Sequence, residues 1–123
     1  MILNLTQHNA TEDQISCGVV EPTPGDKELI GALLTFGEIP STSQIMDRVT
    51  CLVEIAVSYA ADGAMIGGAP YLMEFLAPAL RMARVRVLYS FTKRVVAEKM
   101  LEDGSVEKVS VFKHVGFVDT NQQ

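Results

Sequence analysis

The sequence contains no tryptophan and only two cysteines, Cys17 and Cys51. They form no CxxC pair, which excludes a zinc ribbon or a thioredoxin-type redox pair. In a reducing compartment two scattered cysteines are expected to be buried free thiols. Cations are scarce as well: Lys and Arg total 10 against 15 Asp and Glu, giving a formal net charge of −5. Broad, non-specific nucleic-acid binding needs clustered Lys and Arg and is not expected. No apolar run approaches the ~20 residues of a membrane helix. The N-terminus shows no basic stretch followed by a long apolar segment, so no secretory signal and no membrane partner are expected. A cytoplasmic protein is the reading, and the sequons at Asn4 and Asn9 are then chance matches. There is no G-x-G-x-x-G, Walker loop, HExxH or G-x-S-x-G, and no cofactor or metal is expected.

What is present is enough apolar residue for a core: 48% of 123 residues. That length reads as a single α/β domain over residues 1–118, followed by a flexible tail over 119–123. A strand is expected over 2–6. Thr11-Glu12-Asp13-Gln14 has capping-box spacing and opens a short helix over 12–17, stopped by Gly18. Val19 and Val20 suggest a brief strand. Asp26 can cap a helix with Leu29, Ile30, Leu33 and Leu34 on one stripe. Ser41 can cap a longer helix, in which Ile45, Val49, Leu52, Val53 and Ala56 keep helical period. Residues 64–66 read as a buried strand. Pro70 suits the first turn of a further helix, and Pro78 inside it predicts a kink or break. Residues 84–91 alternate, with Val85, Val87, Tyr89 and Phe91 on one side. Asp103-Gly104 signals a hairpin, although a two-residue turn would oppose Lys99 and Lys108.

This order implies a three-layer, Rossmann-like α/β fold. A mainly parallel sheet carries helices on both faces and ends in an antiparallel hairpin. The preferred order sets the first strand beside the 64–66 strand, with the Val19 strand outside it. Ligands of such sheets bind beyond the carboxyl ends of strands, where the order reverses. That crevice would be walled by Thr6, Gln7, His8 and Asn9 on one side and by Gly67, Gly68 and Ala69 on the other. Ser90, Thr92, Lys93 and Arg94 would arrive from the third strand.

Within that set, the glycines allow close backbone approach and offer N–H groups to an anion. Lys93 and Arg94 could neutralise phosphate or carboxylate, and His8 is the natural proton-transfer group near neutral pH. Ser90 or Thr92 could serve as a nucleophile only with a base beside it. Each residue also has a plain structural reading: a tight turn, a solvated charge, a loop cap.

The strand followed by Asn4-Leu5-Thr6-Gln7-His8 and then Thr11-Glu12-Asp13-Gln14 resembles small stand-alone proteins related to CRISPR-associated Rossmann-like (CARF) domains. Some of these are ring nucleases, which cleave cyclic oligoadenylates. The segment from Leu88 to Arg94 is similar to a ligand-facing loop of that class. The resemblance implies a homodimer binding a cyclic, phosphate-rich nucleotide. It implies metal-independent cleavage, in which a ribose 2′-hydroxyl attacks the adjacent phosphate. His8, Lys93 and Arg94 would then be catalytic. Thr6, Gln7, Asn9, Gly67, Gly68, Ala69, Ser90 and Thr92 would bind ligand. The alternative is a non-catalytic small-ligand-binding or protein-interaction module of a compact bacterial or phage family.

Overall fold

The first strand, β1 (Ile2–Leu5), lies inside a five-stranded sheet in the computed structural model, which describes residues 1–121. Thr11 and Gln14 close a reciprocal capping box at the start of α1 (Glu12–Ser16). Gly18, at φ +102°, then turns the chain into β2 (Val19–Val20). Only glycine adopts that conformation without strain. Helix α2 (Pro24–Leu34) is capped by Thr23 rather than by Asp26, with Pro24 at its first position. The proline lacks the N–H that a helix start cannot use, so the helix begins three residues earlier than an Asp26 cap suggests. Only Ile30 and Leu34 of its expected stripe are buried, and Leu29 stands exposed.

Helix α3 (Thr42–Ser58) begins with a second capping box, Ser41 with Gln44. It buries Ile45, Val49, Leu52, Ile55 and Ala56. After β3 (Gly63–Ile66), helix α4 (Pro70–Met82) continues unbroken through Pro78. Pro78 faces solvent, so water can satisfy the carbonyl that loses its intrahelical partner.

The order of strands is β2-β1-β3-β4-β5, where β4 is Arg86–Met100 and β5 is Val106–Asp119. The first strand pairs in parallel with both β2 and β3, and β3 pairs in parallel with β4. The β4–β5 pair is antiparallel. One strand period places Leu3, Leu5, Ala64, Ile66, Val85 and Val87 in the main core with residues of α2, α3 and α4. Asn4, Met65 and Leu88 alternate with these and point to the other side of the sheet.

Only residues 86–88 of β4 pair with β3, so most of the hairpin extends past the body of the sheet. Its tip is a five-residue loop, with Met100 opposite Val106. That register opposes Glu98 to Lys108 and Lys99 to Glu107, replacing the Lys–Lys contact of a two-residue turn with two opposite-charge pairs. Between Phe91 and Thr92 the pairing skips one residue of β5, leaving Val115 as a bulge.

Asp119 closes β5, accepting from Arg86 and from the backbone N–H of Asn121. The Asn121 side chain pairs with both the N–H and the C=O of Val87. Residues 122–123 of the expected tail lie outside the described residues. Cys17 and Cys51 are both exposed, not buried. Cys17 sits at the C-cap of α1, and Cys51 lies on the outer face of α3, one position off the buried stripe.

Candidate functional site

The polar run after β1 is held from beneath by a buried side chain. Asn4 is fully buried, its carboxamide oxygen accepting from the Thr6 N–H at 2.9 Å and the Thr6 hydroxyl at 2.7 Å. Its amino group donates to the His8 carbonyl at 2.8 Å and to Glu21. Glu21 also accepts from the Ala10 N–H at 3.2 Å. The Lys27 ammonium donates to the Thr6 carbonyl at 3.1 Å and the His8 carbonyl at 2.6 Å. It lies 3.4 Å from Glu21, so this scaffold carries balanced charge. The four polar residues are thus the outer surface of a hydrogen-bonded loop. The Asn4 amide is consumed by this network, which removes it as a glycan acceptor.

Above the loop lies a crevice of about 590 Å³ at the carboxyl ends of β1, β3 and β4, in the size range of small-molecule sites. Thr6, Gln7, His8 and Asn9 form one wall, and Gly67, Gly68 and Ala69 form the other. Ser90 and Thr92 line it from β4. Lys93 and Arg94 do not line it. Lys93 opposes Lys113 in the hairpin, and the Arg94 guanidinium lies 5.3 Å from the centre of the Phe112 ring. Arg94 shares a strand face with Thr92, about 7 Å further along, so it stands outside the rim.

Thr11, Gln14, Leu34, Met65, Ile66 and Tyr89 complete the lining. No Lys, Arg, Asp or Glu lines the crevice among the described residues. The floor is apolar, and the polar side chains of the lining are hydroxyls, carboxamides and the His8 imidazole. Gln7 donates to Thr35 at 2.8 Å, which ties its wall to the end of α2.

The glycine pair differs internally. Gly68 has φ +155° and lies close to Met73, 3.4 Å from where a Cβ would stand. At Gly67 a Cβ would meet Thr6 Cγ2 at 3.8 Å, an ordinary contact across the crevice. Helix α4 starts directly after them with no side chain capping its first turn. Pro70 has no N–H to offer, and the N–H groups of Leu72 and Met73 both donate to the Ala69 carbonyl at 3.0 Å, so what this helix start presents is chiefly the positive end of its dipole.

Gln14, on α1, donates to Ser90 Oγ at 3.1 Å, and Ser90 Oγ lies 2.7 Å from His114 Nδ1. His114 is buried, its ring 4.8 Å from that of Phe117, and its Nε2 has no hydrogen-bond partner. With the Gln14 amide donating, the Ser90 hydroxyl is free to donate to Nδ1. Ser90 therefore has an imidazole nitrogen beside it, which the sequence alone did not reveal, and the His114 tautomer decides which of the two donates. Among the described residues, no cluster of three His, Cys, Asp or Glu side chains is arranged to hold a metal ion.

Asn4, Gln14, Glu21, Lys27 and His114 are the residues that sequence reasoning missed. Gln14 was legible as a capping-box partner, and its amide performs both tasks. Glu21 and Lys27 carried no local signal.

A family model described as the uncharacterized protein MJ1673 family matches residues 1–118. The chain belongs to that family. The match spans every helix, almost all of the sheet and the whole crevice. The description names no ligand and no reaction. No curated protein and no solved structure matches the chain.

Proposed function

We propose that this protein binds a small nucleotide-type anionic ligand in the crevice at the carboxyl ends of β1, β3 and β4. The observation that supports this most is the convergence of three strand ends, 6–9, 67–69 and 90–92, on one cavity with an apolar floor. A planar base suits the surface of Leu34, Met65, Ile66 and Tyr89. A phosphate suits the glycine pair and the uncapped start of α4. Asn9, His8 and Thr92 are placed to read ribose or base edges. Lys93 and Arg94 fall to a secondary role: they can touch only a ligand long enough to leave the crevice along β4. The architecture in this reading is a three-layer, Rossmann-like sheet, with α1 on the Ser90 side and the longer helices on the other. A cytoplasmic location is supported by two exposed, unpaired thiols, which persist best in a reducing compartment.

A second reading, in which the ligand is also cleaved, is favoured by the contact between Ser90, which lines the crevice, and His114, which lies buried behind it. In this reading the Ser90–His114 pair takes over the assistance to proton transfer that the resemblance to CARF-related ring nucleases gave to His8. The pair lacks a carboxylate behind His114, so an imidazolium formed there would be buried without a counter-charge. Slow turnover is the consequence, and binding remains the primary activity.

The test is a thermal-shift screen with mononucleotides, dinucleotides and cyclic oligoadenylates. A ligand at 100 times its dissociation constant stabilises the fold by about 2.7 kcal/mol. Nucleotide-dependent stabilisation that Gly67→Ala reduces supports the reading. No shift with any nucleotide at millimolar concentration overturns it. Labelled cyclic oligoadenylate incubated with wild type and Ser90→Ala decides whether cleavage accompanies binding.

A further inference from the structure

The hairpin raises a separate question, independent of the ligand. A two-stranded ribbon standing alone is marginal in water, and its free edge is a template for another strand. Here the ribbon also exposes Val96 at 66%, Met100 at 77% and Phe112 at 70%. The outer edge of β5 has no strand beside it among the described residues, because β5 ends the sheet.

We propose that β5 pairs antiparallel with β5 of a second copy of this chain, about a two-fold axis passing through Ser110. A two-fold axis normal to the sheet must set some residue opposite its own copy, so the allowed registers differ by steps of two. Centring on Ser110 opposes Glu107 to Lys113 of the other copy, twice by symmetry. It also opposes Val109 to Val111, again twice. Pairing from Val106 to His114 then covers about 30 Å of edge.

On the face that carries Val109, Val111 and Lys113, the rows across the joined sheet are coherent in this register. Val95 and Val111 are partners within the hairpin, as are Ala97 and Val109. The dimer extends them into two continuous four-residue apolar rows. Lys93 and Lys113 are also partners, a like-charge contact that costs stability alone. The arriving Glu107 lies beside Lys113 on the same face and relieves it. A step of two in either direction puts Glu107 opposite Val111 or Val115 and removes the charge match.

The free edge of β4 offers no equivalent. The register that joins Arg94 to Glu98 there sets Lys93 opposite Lys99, so each gain is offset by a repulsion. The charge pattern therefore selects β5 and selects its register.

Sedimentation equilibrium tests this on the full chain. The wild type is expected to dimerise, and Glu107→Lys and Lys113→Glu each to weaken the dimer by about tenfold, with the double variant restoring it. Far-UV circular dichroism unchanged from wild type confirms that each variant folds. In a Cys17→Ser, Cys51→Ser background, Ser110→Cys is expected to form a disulfide-linked dimer on mild oxidation, whereas Val96→Cys on β4 is not. A chain monomeric at all concentrations overturns the proposal. So does a dimer indifferent to the charge reversals, or a cross-link at Val96 in place of Ser110. Ligand binding by a monomeric chain would leave the crevice reading intact.

Discussion

Ser90 Oγ and His114 Nδ1 lie 2.7 Å apart although 24 residues separate them in the chain. The bulge at Val115 makes this contact: it draws His114 opposite Thr92, one step from Ser90 on the same face. His114 already has one ring nitrogen without a partner. Ser90→Ala would strand the second and should destabilise the fold by about 1–3 kcal/mol, read by urea denaturation. Ser90→Ala combined with His114→Leu should cost clearly less than the two single changes added together. Additive costs would show that the contact contributes nothing.

Asn4 is the keystone of the loop that walls the crevice. Asn4→Ala removes four hydrogen bonds from a fully buried position and leaves the Thr6 N–H and the Glu21 carboxylate short of partners. A loss of about 3 kcal/mol in chemical denaturation is expected. Asn4→Asp should be worse than Asn4→Ala at neutral pH, because it aims a second carboxylate at Glu21. A cost below about 0.5 kcal/mol for either would contradict the buried network.

The two glycines should separate under substitution. Gly68→Ala forces a residue with a Cβ into φ +155° and against Met73, and should lower stability by about 1 kcal/mol or more. Gly67→Ala meets only Thr6 Cγ2 at 3.8 Å, so its melting temperature should stay near wild type. Its effect belongs to the crevice, which it narrows.

The overall plan was legible because its signals were local. One capping box, helix caps, glycine stops and short apolar runs pointed to the four helices and the first three strands, and three loops of the crevice followed from the preferred strand order, whereas the expected 84–91 strand and the first arm of the hairpin are one continuous strand, Arg86–Met100. What was illegible depended on distance in the chain. Nothing near Lys27 or Glu21 says that they meet under residues 6–9. Nothing near His114 says that a one-residue bulge will place it against Ser90. Lys93 and Arg94 were misleading for the same reason. Their cationic character reads locally as a binding feature, yet the strand runs on past the rim and carries them out of the crevice. Cys17 and Cys51 misled through a general burial preference that a cap position and an outer helix face override.

Acid should loosen the end of β5 before the body of the fold. The Asn121 N–H and side chain, and then Arg86, hold the Asp119 carboxyl down at about 2, against an ordinary value of 3.8. A carboxyl lowered on folding contributes stability that is fully present above its unfolded value and fades as pH falls toward its folded value. Between about pH 4 and pH 2, amide protection near Val87 and Asp119, measured relative to the intrinsic exchange rate at each pH, should therefore fall in wild type. Asp119→Asn should flatten that dependence.

The most direct measurement is an amide chemical-shift titration of the labelled protein with a nucleotide that passes the thermal screen. Perturbations clustered at residues 6–9, 67–69 and 90–92, with Gly67→Ala weakening them together, are the predicted result. Perturbations confined to the separate hollow lined by Phe36, Ile39 and Arg48, or scattered without saturation, would contradict the assignment of the crevice as the ligand site.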